Sequence, residues 1–287
     1  MKEVVIISGK GGTGKTSIVS ALAGLGPKKV LADCDVDAAD LHLILNPEVR
    51  ETMQFISGEL PEIDKDLCIE CGECLEHCKF GAISEDFQVI KENCEGCGVC
   101  AFVCPTEAAR MYPRHCGEWY ISDTRFGTMV HASLGIGEEN SGVLVTTVRK
   151  KAGALAEEQG VNLVLVDGSP GVGCPVIASL TNADAAIVVA EPTVSAEHDL
   201  HRVCELTEHF GIQTMAVINK SDINEHISGT IENYCQERKI PVLGRLPYDS
   251  RFTQAQIKKQ NVLEFDPKGL GVKMESIWEK MRQELEL

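Results

Sequence analysis

Two sets of residues in the sequence have types and spacings that do chemistry. The run Gly9-Lys10-Gly11-Gly12-Thr13-Gly14-Lys15-Thr16 follows the apolar, strand-like Val4–Ile7 and precedes a stretch carrying Ile18, Val19, Ala21 and Leu22. That is the placement of a phosphate-binding GxxxxGK(S/T) loop between a strand and a helix. Glycines let backbone N–H groups turn inward around phosphate oxygens, and the following helix adds the positive end of its dipole. Lys15 is expected on the β- and γ-phosphates, and the Thr16 hydroxyl on Mg²⁺. The chemistry such a loop serves is phosphoryl transfer to water, which needs positioning and charge neutralisation and no covalent intermediate. The second set is Cys68-x₂-Cys71-x₂-Cys74-x₃-Cys78 followed by Cys94-x₂-Cys97-x₂-Cys100-x₃-Cys104-Pro105. Three thiolates two residues apart can converge on one iron–sulfur cubane. Zinc ribbons use two CxxC pairs, so two four-cysteine runs point away from zinc.

The spacing of both runs is that of bacterial two-cluster ferredoxins, in which the fourth cysteine of a run ligates the other cluster. One [4Fe–4S] cluster is therefore expected on Cys68, Cys71, Cys74 and Cys104, and a second on Cys94, Cys97, Cys100 and Cys78. Gly72, Gly96 and Gly98 leave room and free N–H groups for the sulfurs. Lys79 stands where that pattern has a proline after the first run; no ligand is lost by it.

The elements that must hold these residues read as an α/β chain. Strands are expected near Val4–Ile7, Lys29–Ala32, Leu163–Val166, Ala186–Ala190, Met215–Ile218 and Val242–Leu246, and helices after Thr16 and near 150–159, 196–210 and 224–238. Buried, near-continuous apolar strands alternating with helices predict a mostly parallel sheet. Between 113 and 148, Trp119-Tyr120-Ile121, Met129-Val130 and Val143-Leu144-Val145 read as short strands, and Gly135–Gly142 as a surface loop. The segment 270–287 is amphipathic, with Ile277, Trp278, Met281 and Leu285 on one face; it reads as a docked C-terminal helix. Residues 64–112 hold eight of the thirteen cysteines, and their pattern repeats with an offset of 26 from Cys68 to Cys94. They form an expected insert, a small α+β ferredoxin-like module, between the two parts of a P-loop domain, 1–63 and 113–287.

Charge narrows the partners. Lys and Arg total 27 against 43 Asp and Glu, a formal net charge of −16, which repels nucleic acid and anionic lipid. Met1-Lys2-Glu3 runs straight into the first strand without a signal peptide, and no apolar run approaches the roughly 20 residues that span a bilayer. A cytoplasmic protein with reduced thiols is expected, in which many cysteines mean metal or redox work.

Lys10, with Gly11-Gly12-Thr13-Gly14-Lys15-Thr16, resembles the deviant Walker A motif (KGGxGKT) of the MinD/ParA superfamily, a group that also contains the nitrogenase iron protein and the Mrp-type iron–sulfur carriers. Further pieces follow in the family's order: Asp33-Cys34-Asp35-Val36-Asp37 through Asp40-Leu41 resembles switch I, Asp167-Gly168-Ser169-Pro170-Gly171 resembles switch II, and Ile218-Asn219-Lys220 and Leu246-Pro247-Tyr248-Asp249 resemble the adenine-recognition loops. The resemblance covers about 1–45 and 150–260. It implies an ATPase that closes as a homodimer, with Lys10 reaching the partner's nucleotide. It implies that Asp35 orients the attacking water with Asp33 in support, that Thr16, Asp35 and Asp167 hold Mg²⁺, and that Gly171 approaches the γ-phosphate. Gly9 to Thr16, Asn219, Lys220, Pro247 and Asp249 would contact the nucleotide. Cys174, seven residues after Asp167, matches a cluster ligand of the nitrogenase iron protein, which implies a third metal site there with Cys116. The remaining Cys34, Cys204 and Cys235 read as small buried apolar residues.

Three tasks are compatible with this. The first is ATP-dependent assembly or maturation of a metal–sulfur cofactor in a client, the client being a metalloprotein such as a small nitrogenase-cofactor-binding-like protein. The second is ATP-gated electron donation from the clusters to a redox partner. The third is positioning of the cell-division type, for which clusters have no evident use.

Overall fold

Five short runs rich in Val, Ile, Leu and Ala, too apolar to face water on either side, set the architecture. The computed structural model describes residues 1–135, 137–138 and 141–287. Its strands are β1 (Lys2–Ser8), β2 (Val30–Asp33), β3 (Glu48–Ile63), β4 (Ala109–Thr124), β5 (Gly127–Leu134), β6 (Leu163–Pro170), β7 (Ala185–Ala190), β8 (Gln213–Ile218) and β9 (Val242–Arg245). They form one sheet in the order β3-β4-β5-β2-β6-β1-β7-β8-β9. Pairings of β1 with β6 and β7, of β2 with β5 and β6, and of β8 with β7 and β9 are all parallel. Every residue of β2 and β7 is buried, as expected of strands covered by helices on both faces.

The helices are α1 (Lys15–Ala23), α2 (Leu41–Leu45), α3 (Glu73–His77), α4 (Val99–Phe102), α5 (Ser141–Gln159), α6 (Cys174–Leu180), α7 (Val194–His209), α8 (Glu225–Glu237), α9 (Arg251–Ile257), α10 (Val262–Phe265) and α11 (Leu270–Leu285). The chain divides into two compact units, one of Met1–Thr52, Trp119–Ser133 and Ser141–Leu287, the other of Met53–Glu118 and Leu134–Asn140.

In the first unit, Val4, Ile6, Leu31, Leu165, Ile187 and Val217 from the sheet pack with Ile18 and Leu22 of α1. Ile277, Trp278, Met281 and Leu285 of α11 join this core, so the C-terminal helix docks by the face its periodicity marks. Among the described residues no helix is long and apolar enough to cross a membrane.

Two expectations differ from the structure. Val143-Leu144-Val145, read as a strand, lies in α5. Its buried residues Leu144, Val145, Val148, Ala152, Leu155 and Ala156 recur at helical spacing, and packing on the sheet overrides the β preference of a short branched run. The expected loop Gly135–Gly142 already belongs to α5 from Ser141, while its residues Ile136, Glu139 and Asn140 lie outside those described. The 16-residue β3 has no counterpart in the sequence reading.

The second unit shows its internal repeat in the backbone. Helices α3 and α4 each start after a glycine in the left-handed region, Gly72 at φ 85° and Gly98 at φ 74°, where a side chain would be strained. Positive φ recurs with the same offset of 26 at Glu70 and Gly96 and at Gly81 and Glu107. The halves are joined by a hairpin in which Ile83 bridges Val89, and Ile90 N–H donates to Ala82 O at 2.8 Å.

Candidate functional site

The loop after β1 wraps the mouth of a cavity of about 400 Å³ at the C-terminal end of the parallel sheet, a size within the roughly 300–1,000 Å³ of small-molecule sites. Gly11, Gly12, Thr13, Gly14, Lys15, Thr16 and Ser17 line one side, and Asn219, Lys220, Pro247, Tyr248, Asp249, Phe252, Thr253 and Gln256 the other, with Asp35, Ala38, Asp40 and Pro170 between. The loop is held open by the far wall. Asn219 Nδ2 donates to Thr13 O at 2.7 Å and Lys220 Nζ to Gly12 O at 2.8 Å. Gly14, at φ 89°, lies so near Asn219 that a Cβ would collide with its amide. Eleven of the residues expected to touch nucleotide or its Mg²⁺ line this cavity. Gly9, Lys10, Asp167 and Gly171 do not.

Lys15 is buried and paired with Asp167, with Asp35 Oδ2 at 3.4 Å. Asp33 and Asp167 stand side by side on β2 and β6, both fully buried. One ammonium thus faces three carboxylates. Burial opposes its charge, but Asp167 and then Asp35 outweigh that and raise the Lys15 pKa. Burial, then the charge of Asp167, pushes the Asp33 carboxyl well above the usual range, and burial also raises Asp35. Oδ2 of Asp33 and Oδ2 of Asp167 are buried with no hydrogen-bond partner in the protein. Orphaned carboxylate oxygens in a net-negative pocket are the donor set a hard divalent cation takes, so the residues present fit Mg²⁺.

The two switch segments are tied together. Cys34 N–H donates to Asp167 O at 2.7 Å, and Ser169 Oγ donates to Cys34 O at 2.6 Å. Gly171 N–H donates to Ser8 O at 2.8 Å, which fastens the end of switch II to the end of β1. Lys10 points elsewhere: its Nζ lies 2.6 Å from Glu191 Oε1 and donates to Thr193 Oγ1 at 3.0 Å. Glu191 also takes Lys220 at 2.9 Å. Burial alone would raise the Glu191 carboxyl, and the hydrogen bonds from Lys10 and Lys220 bring it below its ordinary value.

In the second unit the eight cysteines fall into two groups around two cavities. Cys68, Cys71, Cys74 and Cys104 line one, with Ile63, Ile69, Phe87, Ala108 and Ala109. Cys78, Cys94, Cys97 and Cys100 line the other, with Pro61, Phe80, Ala82 and Ile83. Each quartet has three cysteines of one run and the fourth of the other. Backbone N–H groups already point at sulfur: Ala82 to Cys78 at 3.3 Å, Gly96 to Cys94 at 3.4 Å and Ala109 to Cys104 at 3.4 Å. Burial would raise the Cys104 thiol, but donors from Ala109, Thr106 and Ala108 outweigh it and hold it below its ordinary value. Among the described residues no three His, Cys, Asp or Glu side chains could hold a single metal ion. A four-iron cluster spreads its thiolates around a body, not a point, and the four thiols gathered around each cavity are the ligand set it takes.

Cys174 and Cys116 are in different units. Cys174 is exposed at the start of α6. Cys116 is buried in the second unit, where its thiol lies 3.2 Å from Ser57 O. Phe252, Thr253 and Gln256 of α9 line the nucleotide cavity without any motif in the sequence to mark them; only their place just after the C-terminal end of β9 could have drawn attention to them.

Residues 4–262 match the family described as the CobQ/CobB/MinD/ParA nucleotide-binding domain. The chain is 37% identical over 225 residues to an uncharacterized protein of Methanocaldococcus jannaschii, covering 77% of this chain and 79% of that one. Over 51 residues it is 41% identical to the pyruvate synthase subunit PorD of Methanothermobacter marburgensis, 18% of this chain and 63% of that subunit. Its fold is that of the septum site-determining protein MinD of Pyrococcus horikoshii, solved with Mg-ADP, at TM-score 0.59 and 16% identity over 98% of this chain and 95% of the other.

Proposed function

Since this chain belongs to the CobQ/CobB/MinD/ParA nucleotide-binding family, we propose that it is a Mg²⁺-dependent ATPase whose nucleotide cycle gates electron transfer through two resident [4Fe–4S] clusters to a client metalloprotein. The observation that carries this reading is the pair of four-cysteine cavities, each walled by three thiols of one run and one of the other. A cluster held across both runs cannot leave without opening both, which favours a permanent electron carrier over cargo. The likeness to PorD extends over a length close to that of the expected insert, 64–112, and the Mg-ADP complex of the P. horikoshii protein supports the nucleotide.

In this reading the backbone amides of Gly11 to Lys15 cradle the phosphates and Lys15 neutralises the β- and γ-oxygens. Thr16, Asp35 and Asp167 hold the cation, which supplies charge neutralisation when bound, as the clusters supply one-electron storage. Asp35 orients the attacking water. Asn219, Lys220, Pro247 and Asp249 enclose the base. Lys10 is half-exposed at the edge of the site and exchanges Glu191 for the nucleotide of a second copy in a closed homodimer.

The test is anaerobic. Reduced protein is mixed with an oxidised viologen dye and ATP, ADP or no nucleotide, and cluster oxidation is followed by absorbance alongside phosphate release. Oxidation accelerated by ATP alone, and lost in Lys15→Ala at unchanged iron content, is expected. Oxidation indifferent to nucleotide removes the gating. Iron passing from the chain to an apo-ferredoxin would put cofactor assembly in its place.

A further inference from the structure

The offset of 26 that relates the two cysteine runs makes each residue around one quartet comparable with a residue around the other, and the comparison is lopsided in charge. Within the first run stand Glu70, Glu73 and Glu76; at the matching places of the second run stand Gly96, Val99 and Phe102. In the reverse sense there is one acid, Glu95, against Ile69. Glu73 is part of the wall of the first cavity and Glu95 of the second, so the surplus of the first site is Glu70 and Glu76. Cations fall the other way. Lys79 follows Cys78, a member of the second quartet, and its counterpart beside Cys104 is Pro105. Arg114, whose counterpart is Gln88, donates from Nη1 to the backbone carbonyl of Cys94 at 2.9 Å. Its Nε is held by Glu138 Oε2 at 2.7 Å, so the guanidinium stands between Glu138 and the ligand loop.

Solvent does not separate the sites. Cys71 in one quartet and Cys97 in the other are exposed, and the other six are half-buried or buried. Sulfur-directed donors are likewise found in both, from Ala109, Thr106 and Ala108 in the first and from Ala82 and Gly96 in the second. Charge is what remains. An electron adds negative charge to its site, so nearby acids resist reduction and a nearby cation favours it. Exposed Glu70, Glu73, Glu76 and Lys79 act through water and salt, over a Debye length of about 8 Å. Arg114 is largely shielded from solvent, so its charge is screened less.

Resting on the cluster assignment above, we infer that the site of Cys94, Cys97, Cys100 and Cys78 has the higher midpoint potential, and that Arg114 is the residue that sets the difference. One electron then passes from the reduced first site to the oxidised second, and an external one-electron donor refills the first. The second site is the terminus from which a client is served.

The test is a redox titration of the anaerobically purified full-length chain with dithionite and mediators, monitored by electron paramagnetic resonance. Two separate midpoints are expected. Arg114→Gln lowers the higher one and narrows the gap. Glu138→Gln, which leaves the guanidinium unpaired, raises it. Replacing Glu70, Glu73 and Glu76 together by Gln raises only the lower one. Should Arg114→Gln lose iron, Glu138→Gln and the triple variant still decide by the sign of their shifts. Coincident midpoints, or an Arg114 or Glu138 substitution that moves the lower midpoint, overturn the inference and leave the clusters standing. A wild-type chain with no [4Fe–4S] signal overturns the cluster assignment itself.

Discussion

Asp33 shows what a buried pair of carboxylates costs a folded chain. It is wholly buried beside Asp167, and one oxygen of each has no partner. Burial and the neighbouring carboxylate hold its folded pKa well above the ordinary carboxylate value. An acid whose folded pKa exceeds its unfolded one destabilises the fold in the ionised state. That cost is full at neutral pH if the folded group still ionises there, and it disappears as pH falls below the unfolded value. Asp33→Asn removes the charge at nearly constant shape. The nucleotide-free chain is expected to gain on the order of 1 kcal/mol in stability by this change, the usual trade at a strained site. Because Asp33 supports Asp35 and Asp167 and is not itself assigned to the cation, the same variant is expected to lose only part of the stabilisation that Mg²⁺ and ATP confer, about 2.7 kcal/mol for a ligand at 100 times its Kd. Thermal melts with and without Mg-ATP read both. A variant less stable without ligand, or equally stabilised by it, contradicts this account of the three carboxylates.

The end of α1 is an element-level counterpart. Lys29 is buried just before β2, and its Nζ donates to Ala23 O at 3.1 Å and Leu25 O at 2.5 Å, the carbonyls that leave the helix. The ring of Trp278 from α11 lies 5.1 Å away. A cation there satisfies orphan carbonyls and the negative end of the dipole, yet burial lowers its pKa from 10.5 to about 8. The unfolded chain then binds more protons between those values, so stability rises with pH across that window. The rise amounts to about 3 kcal/mol at 1.36 kcal/mol per pH unit. Urea titrations at pH 8 and pH 10 of the wild type and Lys29→Met measure it; equal slopes in the two proteins would refute the assignment. Such a cap is not legible in sequence, because it depends on where two remote elements pass. What was legible were elements with a single strong period. β1, β6, β7 and β8 are continuous apolar runs, and α11 is one clean stripe. The β3 strand is not legible in sequence because only Phe55 and Pro61 within it are buried and because Gly58 and Pro61 read as breakers. An edge position needs no apolar run to hold it. The phosphate loop and cysteine runs were legible because their chemistry fixes residue type and spacing together. The α9 side of the pocket was not, since enclosing a base needs only shape.

Across the whole molecule the two units differ in what can hold them folded. The first has a core of mostly aliphatic side chains from seven strands and four helices and the Trp278 anchor. In Met53–Glu118 the buried apolar side chains among the described residues are Phe55, Pro61, Cys74, Ala82, Ile83, Ala108, Ala109 and Cys116, while Ile69 and Phe102 are 63% and 90% exposed. Small residues bury little area, at roughly 25 cal/mol per Å², and a domain of this size with so thin a core needs staples. Eight thiolates binding two clusters would be those staples, since metal-binding free energy is folding free energy where no other core exists. Calorimetry of the anaerobic holoprotein is therefore expected to resolve two transitions. Mg-ATP raises the one that carries most of the enthalpy and leaves the other in place. Removing iron with a strong chelator abolishes the smaller transition, with loss of the matching circular-dichroism amplitude, while the ATP-sensitive one persists. If the chelated chain melted in one transition still displaced by Mg-ATP and with its full circular-dichroism change, the second unit would be stable through its own packing. The cysteines would then have to be explained without the clusters.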